Sequence, residues 1–191
     1  MTRLAPLDPA AMDTDQRHEY ESLVRWRKPR PDGTFGGPFD TWLRSPEMSN
    51  HLRRFGGFVW ERTALDRGLV ELAISVAAVH YQSNIEWTAH APRAVEYGVA
   101  QGVLDDVLAG RAPSTDREDV TLVTEISRAL LDGKALSQAL YDRGVEAFGE
   151  RGMVELAGTV GYYTLVAFTL RMFEVEPLEG VERPFARPPE A

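Results

Sequence analysis

The amino-acid sequence predicts an all-α protein with one helical domain of six or seven helices. The first indication is proline: six of the twelve prolines lie in residues 1–46 and four lie after residue 176. Because proline breaks helices, the long segment between these ends, which holds only Pro92 and Pro113, is expected to be helical. The second indication is the lack of any sustained two-residue alternation of apolar and polar residues, the pattern typical of strands.

Helical spacing and cap signals define the first elements of this domain. Apolar residues recur at three- and four-residue steps over 69–79. Gly98 follows the next apolar run in the position of a C-terminal cap. The Thr115–Glu118 segment has the pattern of a capping box and leads into a third apolar series, which Gly133 ends. These signals predict three successive helices.

Two further helices are expected toward the C-terminus. Ser137 is placed to cap the first of them, and Gly149 follows its last apolar residue. The second covers 153–173 and is apolar on nearly every side. A helix of that kind is buried on most of its surface, either in the core or against another subunit.

The proline distribution also predicts the organisation of the chain. We expect an N-terminal arm and loop over 1–40, a helical domain over 41–176 and a proline-rich tail over 177–191. Within the arm, the stretch 27–39 is rich in glycine and proline and is interpreted as a loop, ordered or mobile.

Composition excludes several classes of function. The chain has no cysteine, which excludes disulfide scaffolds, thiolate metal sites and thiol nucleophiles. Its 29 acidic and 21 basic residues give a net charge of -8, which argues against nucleic acid or an anionic membrane as the partner. No secretory signal and no membrane-spanning stretch are visible, so we expect a cytoplasmic protein.

The segment 71–90 holds the main concentration of functional side chains within the apolar domain. If it is helical, Ser83, Glu86 and His90 share one face, at spacings of three and four residues. A carboxylate four residues before an imidazole can accept its ring N–H and raise its basicity, which suits a general acid or base. The alternative is an ordinary pair that only stabilises the helix. Pro92 indicates either a kink near this pair or a helix that begins near Ala91.

Metal and cofactor chemistry find little support in the residue pattern. The Glu-x-x-x-His spacing occurs once in this segment and differs from the paired Glu-x-x-His of di-iron bundles. His80, Glu86 and His90 could form a metal site of two histidines and one carboxylate only if the tertiary fold happened to bring them together. No phosphate loop, dinucleotide fingerprint or nucleophile elbow is present. We therefore expect no metal and no cofactor.

The stretch from Glu71 to Val99 resembles the carboxymuconolactone decarboxylase family of the AhpD-like superfamily. The thiol branch of that superfamily carries a Glu, a Cys-x-x-Cys pair, a His four residues later and a Gly eight residues beyond. In this sequence the Glu corresponds to Glu71, the two cysteines to Ser83 and Glu86, the His to His90 and the Gly to Gly98. Weaker similarity extends over about residues 40–175, including 43–48 and 155–163, and the sequence is similar to a cysteine-free, decarboxylase-type branch.

The resemblance implies an AhpD-like helical fold and association into homotrimers or homohexamers. It also implies a carboxy-lyase in the breakdown of aromatic compounds, which removes CO2 from a small lactone or carboxylic acid without a thiol step. His90 would then be the acid or base, oriented by Glu86, with Glu71 as a second catalytic carboxylate. The residues expected to contact substrate are Ser83, His80, Trp87 and Arg93, although Arg93 also fits a solvated surface arginine.

Two other functions remain open from the sequence. The superfamily resemblance also implies alkylhydroperoxidase or peroxiredoxin-type activity, but a chain without cysteine cannot use the thiol mechanism for it. The other possibility is an oligomer that binds a small acid or aromatic compound without converting it. In all these cases the expected partner is a small molecule.

Overall fold

A computed structural model describes residues 2–177 and 180–186 of the chain. These residues form one short 3-10 turn, Pro9–Ala11, and eight α-helices, without a strand in the described ranges. The helices are α1 (Thr14–Trp26), α2 (Phe39–Trp42), α3 (Pro46–Glu61), α4 (Arg67–His80), α5 (Asn84–Glu96), α6 (Gln101–Leu108), α7 (Glu118–Leu131) and α8 (Gln138–Met172). The all-α prediction is confirmed, with one or two helices more than expected.

Helix α4 lies at the centre of the fold and contacts α5, α6, α7 and α8. All but three of its fourteen residues are buried, including every apolar residue except Val79. Burial on all sides explains why α4 carries a near-continuous apolar sequence. Helix α5 follows after a short turn and packs back along α4, so residues of the two helices face each other.

The N-terminal arm contains helix α1, which the proline distribution did not predict. Asp13 caps this helix: its side chain accepts from the Gln16 N–H, and the Gln16 side chain accepts from the Asp13 N–H. This reciprocal capping box offsets the poor helix signal of the flanking prolines. The predicted boundary at residue 40 falls inside α2.

A second apolar core joins the arm to the end of α8, separate from the larger core around α4. Its buried members from the N-terminal part are Met12, Leu23, Phe35, Phe39, Trp42 and Leu43, and those from α8 are Tyr162, Val166 and Leu170. An ion pair strengthens this attachment, because the buried Glu19 of α1 accepts from both Nε and Nη2 of Arg53 in α3. The arm is thus a packed part of the fold.

Helix α8 consists of two helical segments separated by a kink at one residue. Gly149 has φ 67° and ψ 168°, a conformation outside the helical region that disfavours any residue with a Cβ. The stop that the sequence predicted at Gly149 therefore separates the two predicted C-terminal helices. By length and composition α8 could cross a membrane, with a window of mean hydropathy 1.3 that is 39% buried in the protein. A core helix of a soluble protein meets the same criterion, so this is weak evidence for a span.

Two local predictions differ from the structure. The capping box over Thr115–Glu118 does not form: α7 begins at Glu118, and the Thr115 hydroxyl accepts instead from the Arg117 N–H, two residues on. Pro92 lies inside α5, so a helix that begins near Ala91 is wrong. Pro92 has no N–H to donate to the Thr88 carbonyl, yet α5 continues through it, and the Thr88 hydroxyl donates to the Asn84 carbonyl one turn earlier.

Candidate active site

A buried chain of three charged or polar side chains links α4 to α5. Glu71 of α4 is 0% exposed, and one of its carboxylate oxygens lies 2.5 Å from Nδ1 of His90 in α5. Its other oxygen accepts from the Arg67 guanidinium, one turn earlier in α4. Arg67 also donates to the Trp60 carbonyl at 2.7 Å and lies over the Trp60 ring, 3.6 Å from its centroid. The imidazole is therefore held in one orientation.

The environment of His90 favours the neutral imidazole. Burial lowers the pKa of His90, while the hydrogen bond and the charge of Glu71 oppose this change. With Nδ1 engaged by Glu71, Nε2 is the ring nitrogen left for a ligand. The Tyr163 ring of α8 packs edge-on against the imidazole at a centroid distance of 4.9 Å.

Glu86, one turn before His90 in α5, is a buried carboxyl without a hydrogen-bond partner among the described residues. It is 2% exposed, and neither carboxyl oxygen forms a hydrogen bond within the described ranges. Burial raises its pKa to about 8, because the charged form loses its hydration and no charged group replaces it. The Ser83 hydroxyl lies near enough to oppose this rise in part, but outside the geometry of a hydrogen bond. Glu86 is therefore a protonated acid at neutral pH.

A cavity of about 560 Å³ opens onto this acid and base. Glu86 and His90 form part of its wall together with Tyr163, and Glu71 lies behind His90 outside the lining. The N-terminal arm supplies much of the remaining wall, from Trp26 through the loop to Phe39. A volume of this size suits a small-molecule ligand.

The structure corrects the relation that the sequence analysis placed between Glu86 and His90. The carboxylate that holds the His90 ring is Glu71, nineteen residues away, and not Glu86 at the four-residue spacing. Glu71 reaches Nδ1 because α4 and α5 pack side by side, a contact that no helical spacing encodes. The three predicted catalytic residues do converge, but the carboxylate that orients the imidazole is Glu71 instead of Glu86.

Three of the predicted substrate contacts lie outside the cavity wall. Ser83 precedes the first residue of α5 and lines a second cavity, which shares Ile85 with the first. His80 ends α4, packs against Tyr81 and lies 3.8 Å from Asp132. Trp87 follows Glu86 and so points to another side of α5, where it packs against the main core and Phe185. Ser83 and His80 lie at the turn between α4 and α5, and Trp87 packs on the main core, so none of the three is part of the wall that His90 lines.

Arg93 does line the cavity, and the sequence analysis missed other residues that do so or support the site. The guanidinium of Arg93 lies over the Trp60 ring at 4.7 Å. Among the missed residues, Tyr163 had a detectable signal, since two adjacent tyrosines in an apolar helix require polar surroundings. Arg67 also had a signal, since it lies four residues before Glu71 in α4, the spacing of a helical ion pair.

The described residues contain no group of three or more His, Asp and Glu side chains placed to hold a metal ion. Glu71 and His90 are each engaged by the other, and Glu86 stands without a charged partner in the described ranges. The arrangement can hold a neutral base and a protonated acid side by side in a small cavity, which is the requirement for proton transfer to and from carbon.

Comparison with known proteins identifies the fold. No protein-family model matches this sequence, and no curated protein matches it. Among solved structures, the chain is similar to an alkylhydroperoxidase AhpD core from Ralstonia eutropha JMP134, described as an uncharacterised peroxidase-related protein. The TM-score is 0.73 over 93% of each chain, at 14% sequence identity. The protein thus has the AhpD-like helical fold, while the resemblance to carboxymuconolactone decarboxylases stays a prediction.

Proposed function

We propose that this protein is an acid–base enzyme that decarboxylates a small lactone or carboxylic acid, or transfers a proton on such a compound. The observation that carries the proposal is the buried, unpartnered Glu86 carboxyl, with a pKa of about 8, one helical turn from a neutral His90. A protonated carboxylic acid beside a base supplies both directions of proton transfer near neutral pH.

The reaction can be written with the residues of the cavity wall. The bond to the departing carboxylate breaks, its electron pair passes into a conjugated carbonyl to form an enolate, and CO2 leaves. Tyr163 lines the same cavity, and its hydroxyl, whose pKa burial raises well above the ordinary value, would donate a hydrogen bond to the enolate oxygen. Glu86 transfers its proton to carbon, and water restores that proton through His90, the base one turn along α5.

Thiol chemistry is not available to this chain. The Ralstonia protein is described as peroxidase-related, but the present sequence contains no cysteine to attack a peroxide or to resolve a sulfenic acid. Where the thiol branch has its two cysteines, this sequence has Ser83 and Glu86. The resemblance to the decarboxylase family adds the proposal that the substrate arises in the breakdown of aromatic compounds, in the cytoplasm.

The proposal is tested by measuring CO2 release from a panel of β-keto acids and carboxylated γ-lactones. We expect turnover by the wild type, and Glu86→Gln and His90→Asn should each lower kcat about a hundredfold or more, since each removes a proton-transfer group. Wild-type kcat should fall as the pH rises through about 8, because Glu86 then loses the proton that it donates. The matched control is His51→Asn, an exposed histidine of α3.

Two results would contradict this assignment. Wild-type rates in both Glu86→Gln and His90→Asn would remove these residues from the chemistry. Binding of the compounds without turnover anywhere in the panel would instead identify a non-catalytic small-molecule-binding protein.

We further propose that the protein forms a homotrimer or homohexamer through α8. Its outer face carries a stripe of apolar residues and glycine from Val154 to Met172, which are 72% and 65% exposed. The stripe contains Val154, Ala157, Gly161, Leu165, Phe168 and Met172. Contiguous exposed apolar surface of this kind marks protein contacts.

The expected result of Phe168→Glu is a shift to monomer, measured by light scattering on a sizing column, because a charge in this stripe would be desolvated on association. Glu150→Lys, on an exposed part of α8 outside the stripe, is the control and should keep the wild-type mass. A wild-type mass in Phe168→Glu would show that α8 does not form the interface.

A further inference from the structure

Three arginines converge at the cavity from two distant parts of the chain. Arg27 and Arg30 belong to the N-terminal arm, Arg93 belongs to α5, and all three line the wall that also contains Glu86 and His90. None of their guanidinium groups has a carboxylate or carbonyl partner among the described residues. Arg27 and Arg93 lie instead over the rings of Phe39 and Trp60, at 5.0 Å and 4.7 Å.

Burial and the mutual repulsion of these charges both lower the pKa of Arg27. Desolvation lowers its pKa, and the nearby charges of Arg93 and Arg30 lower it further, while Asp40 opposes them. Asp40 is the opposing charge nearby, but its carboxylate accepts from the N–H groups of Phe35 and Gly36, at 2.9 and 2.7 Å, and from no guanidinium group among the described residues. One carboxylate does not balance three like charges held together, and an anion that joins them relieves the repulsion.

The acidic residues of the cavity wall do not neutralise this cluster. Glu176 forms an ion pair with Arg183 at 3.0 Å. Glu86 is protonated near neutral pH for the reasons given above. Glu61 is the remaining carboxylate of the wall; it is exposed, so water and salt screen its charge, and it offsets at most one of the three arginines. An excess of positive charge therefore remains on this side of the cavity.

The arm is shaped to place its arginines. The Arg30 guanidinium lies against Gly36, where a Cβ would come within 2.0 Å of Nη2, and Gly36 has φ +71°. Only glycine combines this backbone conformation with room for the guanidinium. The Glu19–Arg53 ion pair and the second apolar core fix the start of the arm to the rest of the fold.

We propose that Arg27, Arg30 and Arg93 form an anion-binding subsite, and that the N-terminal arm thereby selects the substrate. The ligand group is a carboxylate or phosphate of the substrate that stays intact while the reacting carbon lies at Glu86 and His90. Forked guanidinium groups bind either anion through paired hydrogen bonds. This inference rests on the proposed function only for the position of the reacting carbon; anion binding stands without turnover.

Calorimetric titration with three probes tests the subsite directly. Glutarate presents carboxylates, inorganic phosphate presents a phosphate, and dimethyl glutarate is the neutral counterpart of the first. We expect the wild type to bind at least one anion and to bind dimethyl glutarate much more weakly. Arg27→Gln and Arg30→Gln should each raise the Kd of the bound anion about tenfold, since each removes a charge-assisted hydrogen bond. The tighter of glutarate and phosphate identifies the group that the subsite takes.

Lys28→Gln is the matched control, because Lys28 is an exposed cation between the two arginines that does not line the cavity. It should change the Kd less than about twofold, which separates a local subsite from a general effect of net charge. Arg27→Lys, which keeps the charge and loses the fork, should give an intermediate Kd. Wild-type affinity for both anions in Arg27→Gln and Arg30→Gln would overturn the inference.

Kinetics separate this inference from the proposed reaction. With a substrate that is turned over, Arg27→Gln should raise KM and leave kcat nearly unchanged, whereas Glu86→Gln should lower kcat. Loss of anion binding in the arginine variants without turnover by the wild type would support the subsite and contradict the enzyme. Turnover with an unchanged KM in both arm variants would support the enzyme and contradict the subsite.

Discussion

Glu86→Gln is expected to make the protein more stable than the wild type at neutral and alkaline pH. Burial raises the pKa of Glu86 from 4.5 to about 8, so the folded protein holds this proton more tightly than the unfolded chain does. The contribution of this proton to the free energy of unfolding is fully present below pH 4.5. It decreases as the pH rises and is lost above about 8. Glutamine has no proton to lose and avoids the whole decrease.

The expected gain is about 3 kcal/mol in the free energy of unfolding at pH 7, and near zero at pH 4.5. Urea unfolding of both proteins from pH 4.5 to 9 measures it. Glu96→Gln, at an exposed carboxyl of the same helix, is the control and should show no such divergence. A stability difference between wild type and Glu86→Gln that does not grow with pH would mean that Glu86 ionises as an ordinary carboxyl.

The sign of this effect bears on function. A carboxyl that destabilises the folded protein at neutral pH has no structural benefit. Glutamine or an apolar residue of similar size would fill the same place with less loss of stability. A protonated acid at neutral pH is what the proposed chemistry requires of Glu86. Increased stability together with lost activity in one variant would support both conclusions at once.

Glu71→Gln is expected to have the opposite effect on stability. Glu71 is fully buried between the Arg67 guanidinium and His90, and removal of its charge leaves a largely buried guanidinium without its carboxylate. Breaking a buried pair from one side costs about 3 kcal/mol or more, which urea unfolding measures. Glu118→Gln removes an exposed ion pair with Arg143 and is the matched control, with little change expected.

A double-mutant cycle with Arg67→Gln distinguishes this network from simple loss of packing. If Arg67 and Glu71 stabilise each other, the double variant should be far less destabilised than the sum of the two single variants. Additive effects would contradict the pairing. Glu71 also raises the pKa of His90, so in Glu71→Gln the acid limb of the kcat profile should move to lower pH as kcat falls. A purely structural residue would leave that limb in place.

Much of the fold was predictable from local signals. Gly149 interrupts α8 where the apolar periodicity of one helix ends and that of the next begins. The heavily apolar pattern of α4 predicted burial, and α4 lies in the main core, whereas the second half of α8 buries one side and leaves Val154, Phe168 and Met172 exposed. The signals that failed were also local. The segment that begins at Thr115 has the sequence of a capping box, but the reciprocal hydrogen bonds do not form. Helix α1 forms in a proline-rich arm because Asp13 and Gln16 cap it.

The candidate site separates what the sequence determined from what the tertiary structure decided. The sequence alone determined that no thiol chemistry is possible, and helical spacing together with the family resemblance identified Glu71, Glu86 and His90. The packing of α4 against α5 decided that Glu71 holds the imidazole and that Glu86 is left as a neutral acid. It also separated Ser83, His80 and Trp87 from the cavity wall, and the fold of the arm brought Arg27 and Arg30 to Arg93. Spacing specifies only which side of its own helix a residue occupies, whereas burial and hydrogen-bond partners depend on the neighbouring helices, and these set the pKa and the chemistry.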